Sequence, residues 1–361
     1  MPAVMMQKPA LQVLSLVGAG LLALALVLWI LLLLFRLWDN RQRDWRERVA
    51  QEWLDLLLPV LEGEVPVAHL PRIRSRARLE AVLGLLHDLN ERFRGQYRQK
   101  VMEVLVQIGA EDFGLRLVRG WRMKSRLRGC ALLSWTGTSE LVDLALEKAL
   151  SDRKGLVRVE AAYAIALRHS SITTLRAVII SLAGARCLES DRVRDIVRLM
   201  APERAQELPG LLAEAREPRL KVLLLDGIAA AGDFSQCDAV AGLLKDEDPR
   251  VRASAVRALE LLADPQHMPQ VAALTSDPDP RSRLAVARYA IAMGPDPGSC
   301  YMLWQLARDP NFDVQRTAVL GLAGIGGPLW ERLRQECHEE PLLEALVVEA
   351  MEVHHLNPAR A

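Results

Sequence analysis

Histidine and cysteine are the side chains here best suited to metal or nucleophile chemistry, and their spacing builds neither. The seven histidines (His69, His87, His169, His267, His338, His354 and His355) are scattered, and only His338 is followed by a glutamate, Glu339. His354 and His355 in the tail are of a type that can touch a metal, but the pair reads as part of an exposed polar tail. The cysteines Cys130, Cys187, Cys237, Cys300 and Cys337 are odd in number and never form a C-x-x-C pair, so they read as reduced core thiols of a cytosolic compartment. No phosphate loop, nucleophile elbow or H-E-x-x-H string occurs, and the glycines between Gly321 and Gly327 belong to a helix end. The expectation is a protein without catalysis, cofactor, metal or small-molecule substrate. The chemistry left to it is noncovalent: acid–base pairing between Asp and Arg, and recognition through exposed aromatics.

The Asp and Arg residues recur in phrase. Asp248-Pro249-Arg250-Val251-Arg252 leads to Ala255, Ala258 and Leu259, and Asp279-Pro280-Arg281-Ser282-Arg283 leads to Val286, Tyr289 and Ala290. Asp309-Pro310 precedes Val314-Gln315, with Ala318, Gly321 and Leu322. The spacing extends backwards through Leu220-Lys221, Val193-Arg194, Val157-Arg158, Leu127-Arg128 and Tyr97-Arg98. Successive anchors lie 30, 30, 36, 27, 31, 31 and 32 residues apart. That self-similarity marks a repeat array, with one slip between residues 185 and 220.

A period near thirty-one fits two short helices and two turns. The small or apolar residues at offsets +4, +7 and +8 share one helical face and allow close helix approach. One helical hairpin cannot cover its own apolar stripe, so hairpins must stack. Pro249, Pro280 and Pro310 sit where a helix can start without losing a needed N–H. Composition agrees: 51% apolar, 25% charged and only 5% aromatic residues favour helices.

The phrase D-x-D-P-x-V-R-x-x-A-x-x-A-L, matched from Asp246 to Leu259, resembles the short HEAT-like repeat of the phycobilin-lyase type, over roughly residues 90 to 330. The resemblance implies an all-α fold, an α-solenoid of HEAT-like helical hairpins, and a ladder in which a loop Asp and a helix Arg bond between adjacent repeats. Carried over, the ladder residues are Asp248 with Arg252, Asp279 with Arg283 and, more loosely, Asp152 with Arg158. Gln315 replaces the Arg in the last copy and is expected to end the ladder. The repeat serves adaptors, lyase subunits and regulators alike. A lyase-type enzyme subunit is the alternative it raises, but no pigment-related residue can be matched. A di-iron hydroxylase on this fold would need several His–Glu pairs.

The solenoid is preceded by a single transmembrane helix. Leu11 to Phe35 carry no charge, and a helix of that length spans a hydrocarbon core of about 30 Å. The expected organisation is a flank at 1–10, a transmembrane helix at 11–36, a juxtamembrane helix and linker at 37–72 with breaks at Pro66 and Pro71, a solenoid at 73–335, and a capping helix and tail at 336–361. Trp29 and Trp38 read as membrane-embedded and interfacial anchors. Arg36, Arg41, Arg43, Arg46 and Arg48 follow the apolar run while Lys8 alone precedes it, which places the N-terminus outside and the repeats in the cytoplasm.

Net charge is +1, from 46 basic and 45 acidic residues, and points to no polyanion partner. Its distribution is uneven: 14 basic against 6 acidic residues between Leu70 and Arg128, and 2 against 7 between Glu331 and Glu352. The basic repeats could meet anionic lipid, at about 1 kcal/mol per cation near the surface. They lack interleaved exposed aromatics, which argues against nucleic acid. Trp135 and Trp304 fall at core positions, and Trp330 is a further aromatic candidate. Trp121, flanked by Arg119 and Arg122 at a turn after Gly120, is the first candidate for partner binding if exposed on the concave surface. The expected role is a scaffold or adaptor for a membrane-associated protein.

Overall fold

The computed structural model of the chain describes residues 7–92, 97–136, 139–169, 173–183 and 190–355. Cys187 and the tail from residue 356 lie outside them. Every regular element among the described residues is helical: α1 (Gln7–Glu62), α2 (Arg76–Arg92), α3 (Tyr97–Gln107), α4 (Ala110–Val118), α5 (Met123–Leu133), α6 (Glu140–Ala149), α7 (Gly155–Arg168), α8 (Leu175–Ala183), α9 (Asp191–Met200) and α10 (Leu208–Glu214). There follow α11 (Pro218–Ala231), α12 (Cys237–Gly242), α13 (Pro249–Leu261), α14 (Met268–Ala272), α15 (Pro280–Met293), α16 (Pro297–Leu306), α17 (Phe312–Ile325), α18 (Pro328–Glu336) and α19 (Pro341–His355). The chain divides into two compact units, one of residues 1–113 and 135–137, the other of residues 114–134 and 138–361.

In the first unit, α1 is one helix where the sequence suggested two, a transmembrane helix and a separate juxtamembrane helix. No Gly or Pro lies between Arg36 and Leu58 to break it, and Pro59 comes only near its end. Its halves differ in surroundings. From Leu21 (62% exposed) to Trp38 (59%) the large apolar side chains face outward, and α1 is, among the described residues, the one helix long and apolar enough to cross a membrane. From Val49 onward Val49, Trp53, Leu57, Val60 and Leu61 are buried at helical spacing, and α1 packs on α2 and α3, which bury Leu79, Val82, Leu86, Val104 and Leu105. Arg78 pairs with Glu52 at 2.9 Å. Lys100 Nζ donates to the Leu61 carbonyl at 2.8 Å, satisfying an acceptor that the helix end leaves open.

In the second unit the odd-numbered helices from α5 to α19 pack one on the next, and the even-numbered helices flank them. The residues at the repeat offsets form the core: Val251, Ala255, Ala258 and Leu259 on α13, Val286, Tyr289 and Ala290 on α15, Ala318 and Leu322 on α17. Glycine and alanine at these contacts set the approach. A Cβ on Gly129 would lie 2.6 Å from the Val118 backbone nitrogen. Several even helices are short and run into 3-10 turns, as α12 does at Leu243–Lys245 and α14 at Ala273–Ser276. The slip in the period falls where an additional 3-10 segment, Ala201–Glu207, separates α9 from α10.

Pro249 and Pro280 open α13 and α15, each after an N-capping aspartate. Pro310 differs from the sequence expectation: it lies in the turn, and α17 opens at Phe312 with Asn311 as N-cap.

Candidate interaction surface

The turns that lead into the odd-numbered helices of the second unit carry its ordered polar chemistry. Arg252, in the first turns of α13, donates from Nε and Nη2 to the two carboxylate oxygens of Asp277 at 2.7 and 2.8 Å, and from Nη1 to the carbonyls of Asp246 and Glu247. Arg283 does the same to Asp309, at 2.6 and 2.8 Å, and to the carbonyls of Asp277 and Pro278. Arg126 repeats the arrangement with Asp152 at 2.6 and 3.1 Å, and Lys221 reaches Asp246 at 2.6 Å. Both partners of each Arg pair are nearly buried. Planar guanidinium forks fit this two-oxygen geometry better than ammonium groups do.

These partners correct the pairing read from the sequence. The carboxylates of Asp248 and Asp279 do not bond the guanidiniums of Arg252 and Arg283. They sit four residues earlier at the same helix starts, where they accept the backbone N–H groups of Arg250 and Arg281 as N-caps and pair with those side chains at 2.8 and 3.0 Å. The ladder acid is the aspartate two residues earlier, so Asp309 corresponds to Asp246 and Asp277, with the next turn's acid 25 or 26 residues beyond each base. Arg158 donates to the Asp152 backbone carbonyl at 3.1 Å, while the Asp152 carboxylate belongs to Arg126. Gln315 is buried in the Arg position of α17, and Arg283 with Asp309 is the last rung of this kind among the described residues.

Electrostatics follow the geometry. Burial pushes the Asp277 carboxyl up, but the Arg252 bond, the Asp279 N–H and the Arg252 charge outweigh it and hold the group below the usual carboxylate range. Asp152 is held down in the same way by Arg126 and the Lys154 N–H against the effect of burial. The Arg250 hydrogen bond takes Asp248 to about 2.

The same bonding register places Trp121. Arg126 Nη1 donates to the carbonyls of Gly120 and Trp121, as Arg252 does to Asp246 and Glu247. Gly120 thus stands where other turns carry the ladder acid, and Trp121 is at the turn apex, 78% exposed, with the Arg122 guanidinium 4.8 Å from its ring centre. It belongs to a turn edge rather than a helix face. Arg122 and Lys154, the N-cap residues of α5 and α7, make no side-chain cap, unlike Asp248, Asp279 and Asn311. Arg119, Arg122, Lys124, Arg153 and Lys154 are all exposed.

Other aromatics serve the framework. Trp330 is buried, and Trp135 and Trp304 are half-buried where the sequence suggested full core positions. The Trp304 ring is flanked by the Arg308 and Arg332 guanidiniums at 4.6 and 5.2 Å, and both of these pair with Glu336. A cluster that escaped the sequence reading has three buried members and one exposed: buried His267 bonds buried Asp264 through Nδ1 and lies 3.1 Å from the exposed Asp238 through Nε2, while the buried Tyr289 hydroxyl donates to the Asp264 carbonyl. It ties α12, α14 and α15 together. Among the described residues no group of three His, Cys, Asp or Glu could hold a metal ion.

Comparison with known proteins agrees with this architecture over part of the chain. Residues 238–323, which contain the rungs from Arg252 to Asp309, match the model of HEAT repeats. No curated protein matches the chain. Among solved structures, one described as an engineered protein is similar at 16% identity, covering 79% of this chain and 82% of that one with a TM-score of 0.34. Residues 238–323 are thus similar to HEAT repeats, within a chain whose regular elements are all helical among the described residues.

Proposed function

We propose that the chain is a membrane-anchored, noncatalytic scaffold whose repeats bind a membrane-associated protein at the cytoplasmic face. HEAT repeats commonly mediate protein–protein contact, because stacking presents equivalent positions along an extended surface. The observation that carries the anchor is the outward-facing apolar stretch from Leu21 to Trp38, continuous in one helix with the buried stripe that begins at Val49. Left in water, that stretch would expose an apolar surface far beyond what soluble monomers tolerate. Arg36, Arg41 and Arg43 at its end set the orientation by the positive-inside rule. Tethering raises the local concentration of a partner in the same membrane, so modest intrinsic affinity suffices.

The test is fractionation of the full chain beside a version that starts at Asp39. The full chain should resist alkaline carbonate and leave membranes only with detergent, while the shortened chain is soluble and keeps its helical signal. Protease added to sealed inverted vesicles should digest the repeats. Extraction of the full chain by carbonate, or protection of the repeats in those vesicles, would overturn the reading.

A further inference from the structure

Resting on the scaffold reading, we propose that the turns before α5 and α7 form one docking surface for an acidic segment of the partner protein, with Trp121 as its apolar anchor.

The two turns are joined by a single side chain. Arg126 holds the Trp121 carbonyl through Nη1 and the Asp152 carboxylate through Nε and Nη2, and Asp152 in turn accepts the Lys154 backbone N–H at 2.8 Å. The apex bearing Trp121 and the apex bearing Arg153 and Lys154 are therefore fixed relative to each other before any partner arrives, which lowers the ordering cost of binding.

Their charge differs from that of the later turns. At α13 and α15 the cations Arg250 and Arg281 fold onto the N-cap carboxylates Asp248 and Asp279. At α5 and α7 the N-cap residues are themselves cations, and among the described residues Arg119, Arg122, Lys124, Arg153 and Lys154 form no ion pair. The positive ends of the two helices add to the same field. Apolar surface is interleaved with it, from Trp121 on one turn and from Leu156, 60% exposed, on the next.

Neighbouring packed helices lie about 8–10 Å apart, the length of about three residues of extended chain at roughly 3.3 Å each. A segment with carboxylates flanking an apolar residue can thus address both turns at once. A lipid surface reads summed charge rather than this spacing, whereas Trp and Arg are the side chains that dominate protein interfaces.

The test uses the full chain in neutral detergent and a short fluorescent peptide of Glu, Asp and Leu, with its Gln/Asn analogue as control, followed by anisotropy. The acidic peptide should bind and the neutral one should not. Trp121→Ala and the pair Arg122→Glu/Lys154→Glu should each weaken binding about tenfold or more. Arg257→Ala/Arg288→Ala, which removes two exposed cations of α13 and α15, should leave it unchanged. All these side chains are exposed, and an unaltered circular dichroism spectrum verifies each variant's fold. Undiminished binding in W121A and in the charge-reversed pair, or no binding to the wild type, would overturn the proposal. So would binding confined to phosphatidylserine vesicles, which would assign the surface to lipid. Crosslinking in native membranes separates the two readings: neighbours kept by the charge-reversed pair defeat this surface and leave the scaffold standing, whereas a wild type without neighbours defeats both.

Discussion

Arg252 and Asp277 lie 25 residues apart and meet in a two-point ion pair, 2.7 and 2.8 Å long, that joins the start of α13 to the turn before α15. The same guanidinium closes the turn at its own helix start by holding the Asp246 and Glu247 carbonyls. One side chain thereby fixes a turn and its distance to the next.

Because Asp277 is almost inaccessible, losing its partner leaves a buried charge. Arg252→Met should cost about 3 kcal/mol, with part of the loss recovered in Arg252→Met/Asp277→Asn. Urea unfolding combined with hydrogen exchange of α13 and α15 measures it. A loss below roughly 1 kcal/mol would show that the pair behaves like an exposed one.

Acid should weaken the array through the same groups. Asp152, Asp248 and Asp277 have carboxyls held below their ordinary range in the folded chain, Asp248 at about 2. The unfolded chain binds protons near pH 3.9. The stability they contribute is therefore complete above about pH 4 and is lost as pH falls from there toward about 2. Urea midpoints across that window should fall with pH for the wild type, and less steeply for Arg252→Met/Asp277→Asn.

Gly129 marks a close backbone approach of α5 to α4. An added methyl would sit 2.6 Å from the Val118 backbone nitrogen and 3.0 Å from the Gly114 carbonyl oxygen, and neither atom can rotate away. Gly129→Ala should destabilise by about 1–3 kcal/mol despite its better helix propensity. Thermal unfolding tests this, and an Ala variant as stable as the wild type would mean that α4 and α5 separate freely.

Thiol chemistry offers a probe of the packing. Cys130 is fully buried, and burial, with Glu160 and Asp152 adding to it, pushes its thiol up to about 12. A maleimide at pH 8 should leave Cys130 unmodified in the native chain and modify it once urea is added, because the thiolate is the reacting form. Mass spectrometry of the digested chain reads the result. Rapid native labelling of Cys130 would show that α5 opens locally.

The helical repeat was legible in the sequence because its information is periodic. Ala255, Ala258 and Leu259 announce a face, and that face is buried. The ladder register was not, since Asp246, Asp248, Asp277 and Asp279 form two candidate columns two residues apart. Only the distances show that the first and third serve as rungs and the second and fourth as caps. The sequence offered Trp121 as a binding candidate on its glycine and arginine neighbours, and the structure shows its exposure. Its presentation at a turn apex follows from Arg126, whose role depends on an acid 26 residues away. The cluster around His267 left no signal of this kind, because its members come from separate turns and helices.

Rungs with matching geometry make the array editable. Excision of residues 247–277 would join Asp246 to Pro278, leave Lys221 with its acid and give Arg283 two backbone carbonyls in the positions it already uses. Duplicating that stretch would supply one more rung by the same logic. As far as the ladder's own bonds are concerned, array length can therefore grow or shrink in whole modules.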